Sequence, residues 1–540
     1  MDLKTIPFNL ANEDIDWVKE TFESLTLEEK VGQIFVFNVP IISLKKKLKD
    51  ILRFKPGGVF LFTSLAGLQR KKAKFLQKNT DLPLLIAGDL ESGGFTGAVN
   101  STFFNTSMGI AATNDESFAY KCGLISGREG GAMGFNWTFS PVCDINYNHQ
   151  NPITNVRSYG DTPEIVSKMA CAYTKGVQEC GVAATAKHWP GDGLDDRNQH
   201  LSTSINPFNM DEWHQTYGKV YKDLFNAGVK SVMSAHVSLP AYDSINGKSI
   251  PGTLSKKLNI DLLRKELGFN GLIVTDALDM AGFNSQGIRD ELIPKSIVAG
   301  CDMILFSSDR EHDYNLIKNA LETGIISEER LNDAVMRVLA LKASLNLHKT
   351  RGLPKKGEKK KYIKCKEHQT WSNECIKSSI TLAKDTQNII PISSEKYPNV
   401  LLIRKGDFPF FTRKFSSLLK AKGFKVDNYK KGIKRIFMNY DLIIFLLNEV
   451  LWFTKTTLRL THLVKDAGMM RSPHIEVPSL FISLGNPYHL YEIPTMKTLI
   501  NCYNPIKRTQ KILVEMLVGN LPFKGVSPVD VFCGLEDAKP

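Results

Sequence analysis

The stretch whose reading decides the fold is Val182-Ala183-Ala184-Thr185-Ala186-Lys187-His188-Trp189, followed at once by Pro190-Gly191-Asp192-Gly193. Its apolar and β-favouring residues predict a buried strand, and the Pro-Gly pair ends it in a loop. Lys187 and His188 then stand at the strand's C-terminal end, where polar groups are too costly to bury without a purpose. Seven other short apolar runs share this design within the first 310 residues: Val31–Asn38, Gly57–Phe62, Pro83–Asp89, Phe135–Val142, Lys230–Val237, Gly271–Leu278 and Cys301–Phe306. Continuous apolar strands alternating with amphipathic stretches imply a parallel sheet covered by helices on both faces. Eight units suggest a (β/α)8 barrel, with an open doubly wound sheet as the alternative. Helix starts are marked by Thr26-Leu27-Glu28-Glu29, which has the pattern of a capping box, and by Ser327-Glu328-Glu329.

Composition bounds the rest. The 540 residues are 42% hydrophobic and 23% charged, which is ample for a core and more than one domain. With 69 Lys+Arg against 56 Asp+Glu the net charge is +13. Much of that excess lies in clusters such as Lys45–Lys47 and Lys359–Lys361 with no nucleic-acid signature beside them, so it reads as a solvated surface and no nucleic-acid partner is expected. The nine cysteines are scattered and form no CxxC pair, which suggests free thiols in a reducing compartment rather than disulfides or a zinc site. Met1–Ile15 lacks the apolar core of a secretory signal. The longest apolar run, 442–453, is interrupted by Asn448 and Glu449 and is too short to span a bilayer. A cytoplasmic protein with no membrane association, no cofactor and no metal is expected. Oligomeric state is not encoded in any of these features.

Three segments are expected: a catalytic barrel over 1–346, a basic linker over 347–365, and a smaller α/β sandwich over 366–540. The linker contains Arg351-Gly352-Leu353-Pro354 and a dense lysine run. Beyond it, Asn399–Arg404, Asp441–Leu447, Ser479–Leu484 and Thr498–Tyr503 read as buried strands without clustered acid/base residues.

In βα barrels the chemistry sits at the C-terminal ends of the strands. Here those ends carry Asp89, Asp144, Lys187 with His188, His236, and the Asp276 of Val274-Thr275-Asp276-Ala277-Leu278. Five successive strand ends of this kind imply a polar site, although each residue alone could be a satisfied core group.

The Lys187–Gly193 and Thr275–Leu278 motifs resemble those of family 3 glycoside hydrolases, in particular the β-N-acetylglucosaminidase-like branch, which carries Lys-His-Phe-Pro-Gly-His-Gly followed by Asp-x-His. The resemblance implies a barrel plus a second domain and assigns roles residue by residue. Asp276 becomes the nucleophile that traps the sugar as a glycosyl ester, in preference to Asp279, which lies beyond the strand end. His200, fourteen residues along counting Lys187 as the first, becomes the general acid and then base. Asp89, Arg157, Lys187 and His188 become sugar contacts, while His236 and Asp144 stand behind them. Two positions depart from the pattern: Asp192 replaces the His of Gly-His-Gly, and Asn198 replaces the Asp that supports the catalytic His. In serine proteases an equivalent Asp→Asn exchange lowers turnover about 10⁴-fold, so Asp192, Asp195 or Asp196 is a candidate to supply the missing charge.

The expected activity is retaining hydrolysis of terminal β-linked N-acetylglucosamine, the substrate being a carbohydrate such as a peptidoglycan fragment. Alternatives are a β-glucosidase or β-xylosidase of the same family, a phosphate-dependent β-glycoside phosphorylase, and a weakened sugar-binding protein. A nucleic-acid-binding role stands last.

Overall fold

The computed structural model describes residues 1–42, 45–407, 412–429, 436–451, 455 and 473–540. They form two compact units. The first comprises Met1–Phe104, Ala119–Asn148 and Thr162–Gln369; the second comprises Asn105–Phe118, His149–Asp161 and Thr370–Pro540.

In the first unit each of the eight expected runs holds a strand: β1 Phe35–Val39, β2 Gly58–Leu61, β3 Leu85–Gly88, β4 Trp137–Thr138, β5 Thr185–Trp189, β6 Ser231–Ser234, β7 Leu272–Thr275 and β8 Ile304–Leu305. Five of them pair in parallel in the order β8-β1-β2-β3-β4, and three in the order β7-β6-β5. Typical registers are Val36 with Gly58, Val59 with Ile86, and Thr275 with Ser234. Parallel bridges between Trp137 and Ala183 and between Val142 and Lys187 link β4 to β5, and one between Val274 and Met303 links β7 to β8. Every strand therefore has a hydrogen-bonded neighbour on both sides. Their side chains are almost wholly buried, as strands enclosed on both faces require.

One expectation is corrected here. The run from Val31 does not begin as a strand, because Leu27–Gln33 is helical. Thr26 Oγ1 accepts the Glu29 N–H at 3.3 Å while Glu29 Oε2 accepts the Thr26 N–H at 2.9 Å, a complete capping box that carries the helix past Val31. The segment read as an exposed basic linker holds structure of its own. It forms short helices at Leu347–Thr350 and Glu358–Tyr362, Leu347 is buried, and the Arg351 guanidinium caps the carbonyls of Gln77, Thr80 and Asp81 at the end of helix Ala66–Lys78. The compact division falls later, between Gln369 and Thr370.

The second unit is built on a six-stranded sheet. Its strands are β9 Thr381–Asp385, β10 Asn399–Gly406, β11 Lys425–Asn428, β12 Leu442–Asn448, β13 Ser479–Ser483 and β14 Thr498–Asn501. The order is β9-β14-β13-β12-β10-β11, parallel except for β9 against β14. Alternation along each strand divides two cores: Ile443, Phe445 and Phe481 face one side, and Leu442, Ile444, Leu446 and Ile482 the other. Strands β10 and β12 to β14 match the sequence expectation; the end of the 442–453 run, at 452–453, lies outside the described residues. All nine cysteines carry free thiols, and no helix among the described residues is long and apolar enough to cross a membrane.

Candidate active site

The polar residues at the C-terminal ends of β3 to β7 come together in one network within the first unit. Lys187, at the end of β5, is only 4% exposed and spans to the loop after β3. Its Nζ lies 3.0 Å from Asp89 Oδ1 and 2.8 Å from Glu91 Oε1. His188 turns its Nδ1 to Asp144 Oδ2 at 2.6 Å, and Asp144 Oδ1 accepts the N–H groups of His188 and Asp192 at 3.0 and 2.8 Å. Burial pushes the Asp144 carboxyl up, but the His188 charge and these hydrogen bonds outweigh it and hold the group below the usual carboxylate range.

Asp276 follows β7. Its Oδ1 accepts the Ala277 N–H at 2.8 Å, and its own N–H donates to the Ser234 carbonyl. Burial again raises the carboxyl, yet the charges of His188 and His236, the Ala277 N–H and the charge of His200 together lower it below the ordinary value. An ionised carboxylate ringed by imidazoles is the state a nucleophile needs. Asp279, three residues on, is an exposed residue; partial enclosure of its carboxyl and the Asp276 charge push it up instead, which sets it apart from Asp276. His236 is buried between the Ala277 carbonyl and the Thr253 hydroxyl, each 3.0 Å away. Burial depresses its basicity, and through the Ala277 carbonyl it braces the Asp276 loop.

The loop after β5 brings His200 to this group. Gly193, at φ +112°, is required there because a Cβ would lie 1.9 Å from the Ile145 carbonyl oxygen. Asn198 is buried, and its Oδ1 accepts the His200 backbone N–H at 2.9 Å in an Asx turn. The same oxygen lies 2.9 Å from His200 Nδ1. The amide therefore holds the imidazole nitrogen that a supporting carboxylate would hold. Two of the suggested replacements for the missing charge have other partners of their own. Asp192 accepts from the Gly193 N–H at 2.7 Å and from Gln199 at 3.3 Å; Asp195 is forked by the Arg197 guanidinium; Asp196 is exposed. The His200 loop is tied to the Asp276 loop by Ala281 N–H to the His200 carbonyl at 3.0 Å and by Thr203 Oγ1 to the Gly282 carbonyl at 2.9 Å.

Arg157 belongs to the second unit, in the turn Asn155–Arg157, where its Nη1 donates to the Ile153 carbonyl at 3.1 Å. Glu91 was missed by sequence reading, although its spacing of two from Asp89 was a usable signal: in extended backbone, alternate residues share a side. One group of possible metal ligands was also passed over. Cys365, Glu367 and His368 lie within 4.8 Å of one another, but Glu367 pairs with Arg128 at 3.0 Å and His368 with buried Glu129 at 2.8 Å.

The sequence profile of the family described as Glycosyl hydrolase family 3 N terminal domain matches residues 26–341. The chain belongs to glycosyl hydrolase family 3. A relative from Cellulomonas fimi described as beta-N-acetylglucosaminidase/beta-glucosidase is 36% identical over 562 aligned positions, covering 99% of each chain. A solved structure described as beta-glucoside phosphorylase BglX bound to 2FGlc is 37% identical, with a TM-score of 0.94 and 99% of each chain covered. A family 3 beta-N-acetylglucosaminidase from Paenibacillus sp. str. FPU-7 is 26% identical, with a TM-score of 0.79 over 95% of this chain and 100% of its own. The family 3 glycosidase assignment made from the motifs holds, and the protein is an enzyme of the glycosyl hydrolase class.

Proposed function

We propose that this enzyme removes a terminal β-linked N-acetylglucosamine or glucose by double displacement and passes the sugar to phosphate in preference to water. In this reading the eight strands close a (β/α)8 barrel, with the sheet of the second unit as a smaller α/β sandwich. Asp276 attacks the anomeric carbon as the glycosidic bond breaks, and His200 Nε2 gives its proton to the departing oxygen. The glycosyl–Asp276 ester is then opened from the opposite face, so that configuration is retained overall. Asp89, Lys187 and His188 are the proposed sugar contacts, giving orientation through charged hydrogen bonds.

The observation that carries the choice of acceptor is the Asn198–His200 contact at 2.9 Å. An amide fixes the tautomer but adds no negative charge. Without a carboxylate behind it the imidazole is a weaker base, which disfavours water, whose proton must be removed. A phosphate dianion brings its own oxyanion, and the neutral pair does not repel it. Similarity to a protein described as a β-glucoside phosphorylase supports this reading, and the pairing of sugars follows the Cellulomonas fimi relative.

The test is p-nitrophenol release from β-N-acetylglucosaminide and β-glucoside substrates with and without phosphate, together with identification of the sugar product. A β-configured sugar 1-phosphate that replaces free sugar as phosphate is added is expected. Free sugar alone at every phosphate concentration would return the assignment to hydrolysis.

A further inference from the structure

We propose that Glu91 is a positioning residue for sugar binding: it anchors the Lys187 ammonium so that one oxygen of Asp89 stays available to the substrate. The inference rests on the reading of this strand-end cluster as the sugar site.

Three charged groups from two elements meet here, and their exposure is graded. Lys187 is 4% exposed, Glu91 14% and Asp89 44%. Lys187 stands on β5 and reaches past β4 to the loop after β3. A buried ammonium without a counter-charge is strongly disfavoured, and each carboxylate it gains shortens the list of places it can sit. Glu91, the more enclosed carboxylate, lies closer to Nζ, at 2.8 Å; Asp89 meets it through Oδ1 at 3.0 Å. Lys187 engages Asp89 through Oδ1, and with the side chain 44% exposed its second oxygen is the one we assign to a substrate hydroxyl.

The intervening residue makes this geometry rigid. Leu90 is fully buried; its N–H donates to Thr138 Oγ1 at 3.0 Å, and its carbonyl accepts from both Ser126 Oγ and Tyr173 Oη at 2.8 Å. With the middle of Asp89-Leu90-Glu91 fixed on three sides, the two carboxylates are held at a set separation and only their side-chain torsions can adjust. Remove the Glu91 charge, and Asp89 becomes the carboxylate left beside Lys187 in this trio. It would turn both oxygens to the ammonium and withdraw the acceptor from the sugar. The effect belongs in substrate binding, because neither Glu91 nor Lys187 touches the bond that Asp276 and His200 break.

The experiment compares wild type with Glu91→Gln, Glu91→Asp, Lys187→Gln and the Glu91→Gln/Lys187→Gln pair. It reads kcat and KM on the p-nitrophenyl glycosides, calorimetric Kd for free N-acetylglucosamine and glucose, and melting temperature. Glu91→Gln is expected to raise KM and the sugar Kd tenfold or more, with a loss in KM exceeding any loss in kcat. Glu91→Asp should recover part of that loss, and the double variant should be no worse than Lys187→Gln. An unchanged Kd, a loss confined to kcat, or weakening that tracks a fall in melting temperature in all four variants would overturn the proposal. Should wild type bind these sugars but turn over neither glycoside, the proposed reaction fails while the Kd series still decides the role of Glu91.

Discussion

Replacing Asn198 by Asp tests the reasoning about the acceptor most directly. The exchange is nearly isosteric and places a negative charge 2.9 Å from His200 Nδ1. Two unit charges about 4 Å apart at an effective dielectric near 20 attract by about 4 kcal/mol. Because His200 is partly exposed, solvent screening reduces this, and about half is a fair expectation. At about 1.4 kcal/mol per unit, the alkaline limb of the pH–rate profile should then move up by one to two units. The charge also faces the acceptor from across the ring. For a phosphate dianion about 7 Å away, at a dielectric between protein and water, repulsion is on the order of 2 kcal/mol, or about 30-fold in rate. Water suffers no such penalty and gains a stronger base.

Asn198→Asp should therefore lower the ratio of sugar 1-phosphate to free sugar about 30-fold while extending activity to higher pH. Product analysis at fixed phosphate, from pH 5 to 9, measures both. An alkaline shift with an unchanged product ratio would show that charge at this position does not select the acceptor, and the argument for phosphate from Asn198 would fall.

Further outcomes follow from the same geometry. Asp276→Ala should lower kcat/KM by about 10⁴-fold or more, and mass spectrometry should find a 2-deoxy-2-fluoroglucosyl adduct on the Asp276 peptide of wild type only. Gly282→Ala sets a Cβ 2.3 Å from the Gln199 carbonyl oxygen, and overpacking of this kind costs about 1–3 kcal/mol; the His200 loop should be displaced, so poor leaving groups that need its proton should suffer more than dinitrophenol. In the second unit, burial and then the Lys455 charge push His489 down to about 3. The folded form is thus neutral where the unfolded form, with an ordinary value near 6.5, is protonated. Stability is lost as pH falls through that window, by on the order of 3 kcal/mol between pH 7 and 4.5. Urea unfolding should show this loss in wild type and not in His489→Gln.

The eight strands of the first unit could be read from the sequence because a strand buried on both faces must be apolar throughout, as Leu272–Thr275 and Leu85–Gly88 are. Strands β9 and β11 escaped for the opposite reason. Lys425–Asn428 buries Val426 alone, and an edge strand leaves no stronger trace. The assignment of Asn105–Phe118 to the second unit was out of reach as well, since it depends on pairings hundreds of residues apart, such as Asn105 Nδ2 with Ser379 Oγ at 3.1 Å and the Val526 N–H with the Ala112 carbonyl at 2.9 Å. At the site, residue types at strand ends pointed to Asp276, Lys187 and His188, which the fold gathers in one cluster. The role of Glu91 stayed hidden because its partner lies on β5, two strands away from β3.

Two imidazoles approach Asp276 with different partners behind them. His188 has the carboxylate of Asp144 at 2.6 Å, and His200 has the amide of Asn198 at 2.9 Å. A carboxylate favours the protonated ring, whereas an amide favours neither state. The depressed carboxyls of Asp144 and Asp276 reflect this: the His188 charge is the largest influence opposing burial at both. In the proposed reaction, the charge of His188 favours the ionised form of Asp276. His200, backed by an amide, is the ring proposed to gain and lose a proton at each turnover. In the proposed double displacement, these unequal partners divide the two halves of the reaction between the two imidazoles of one strand-end cluster.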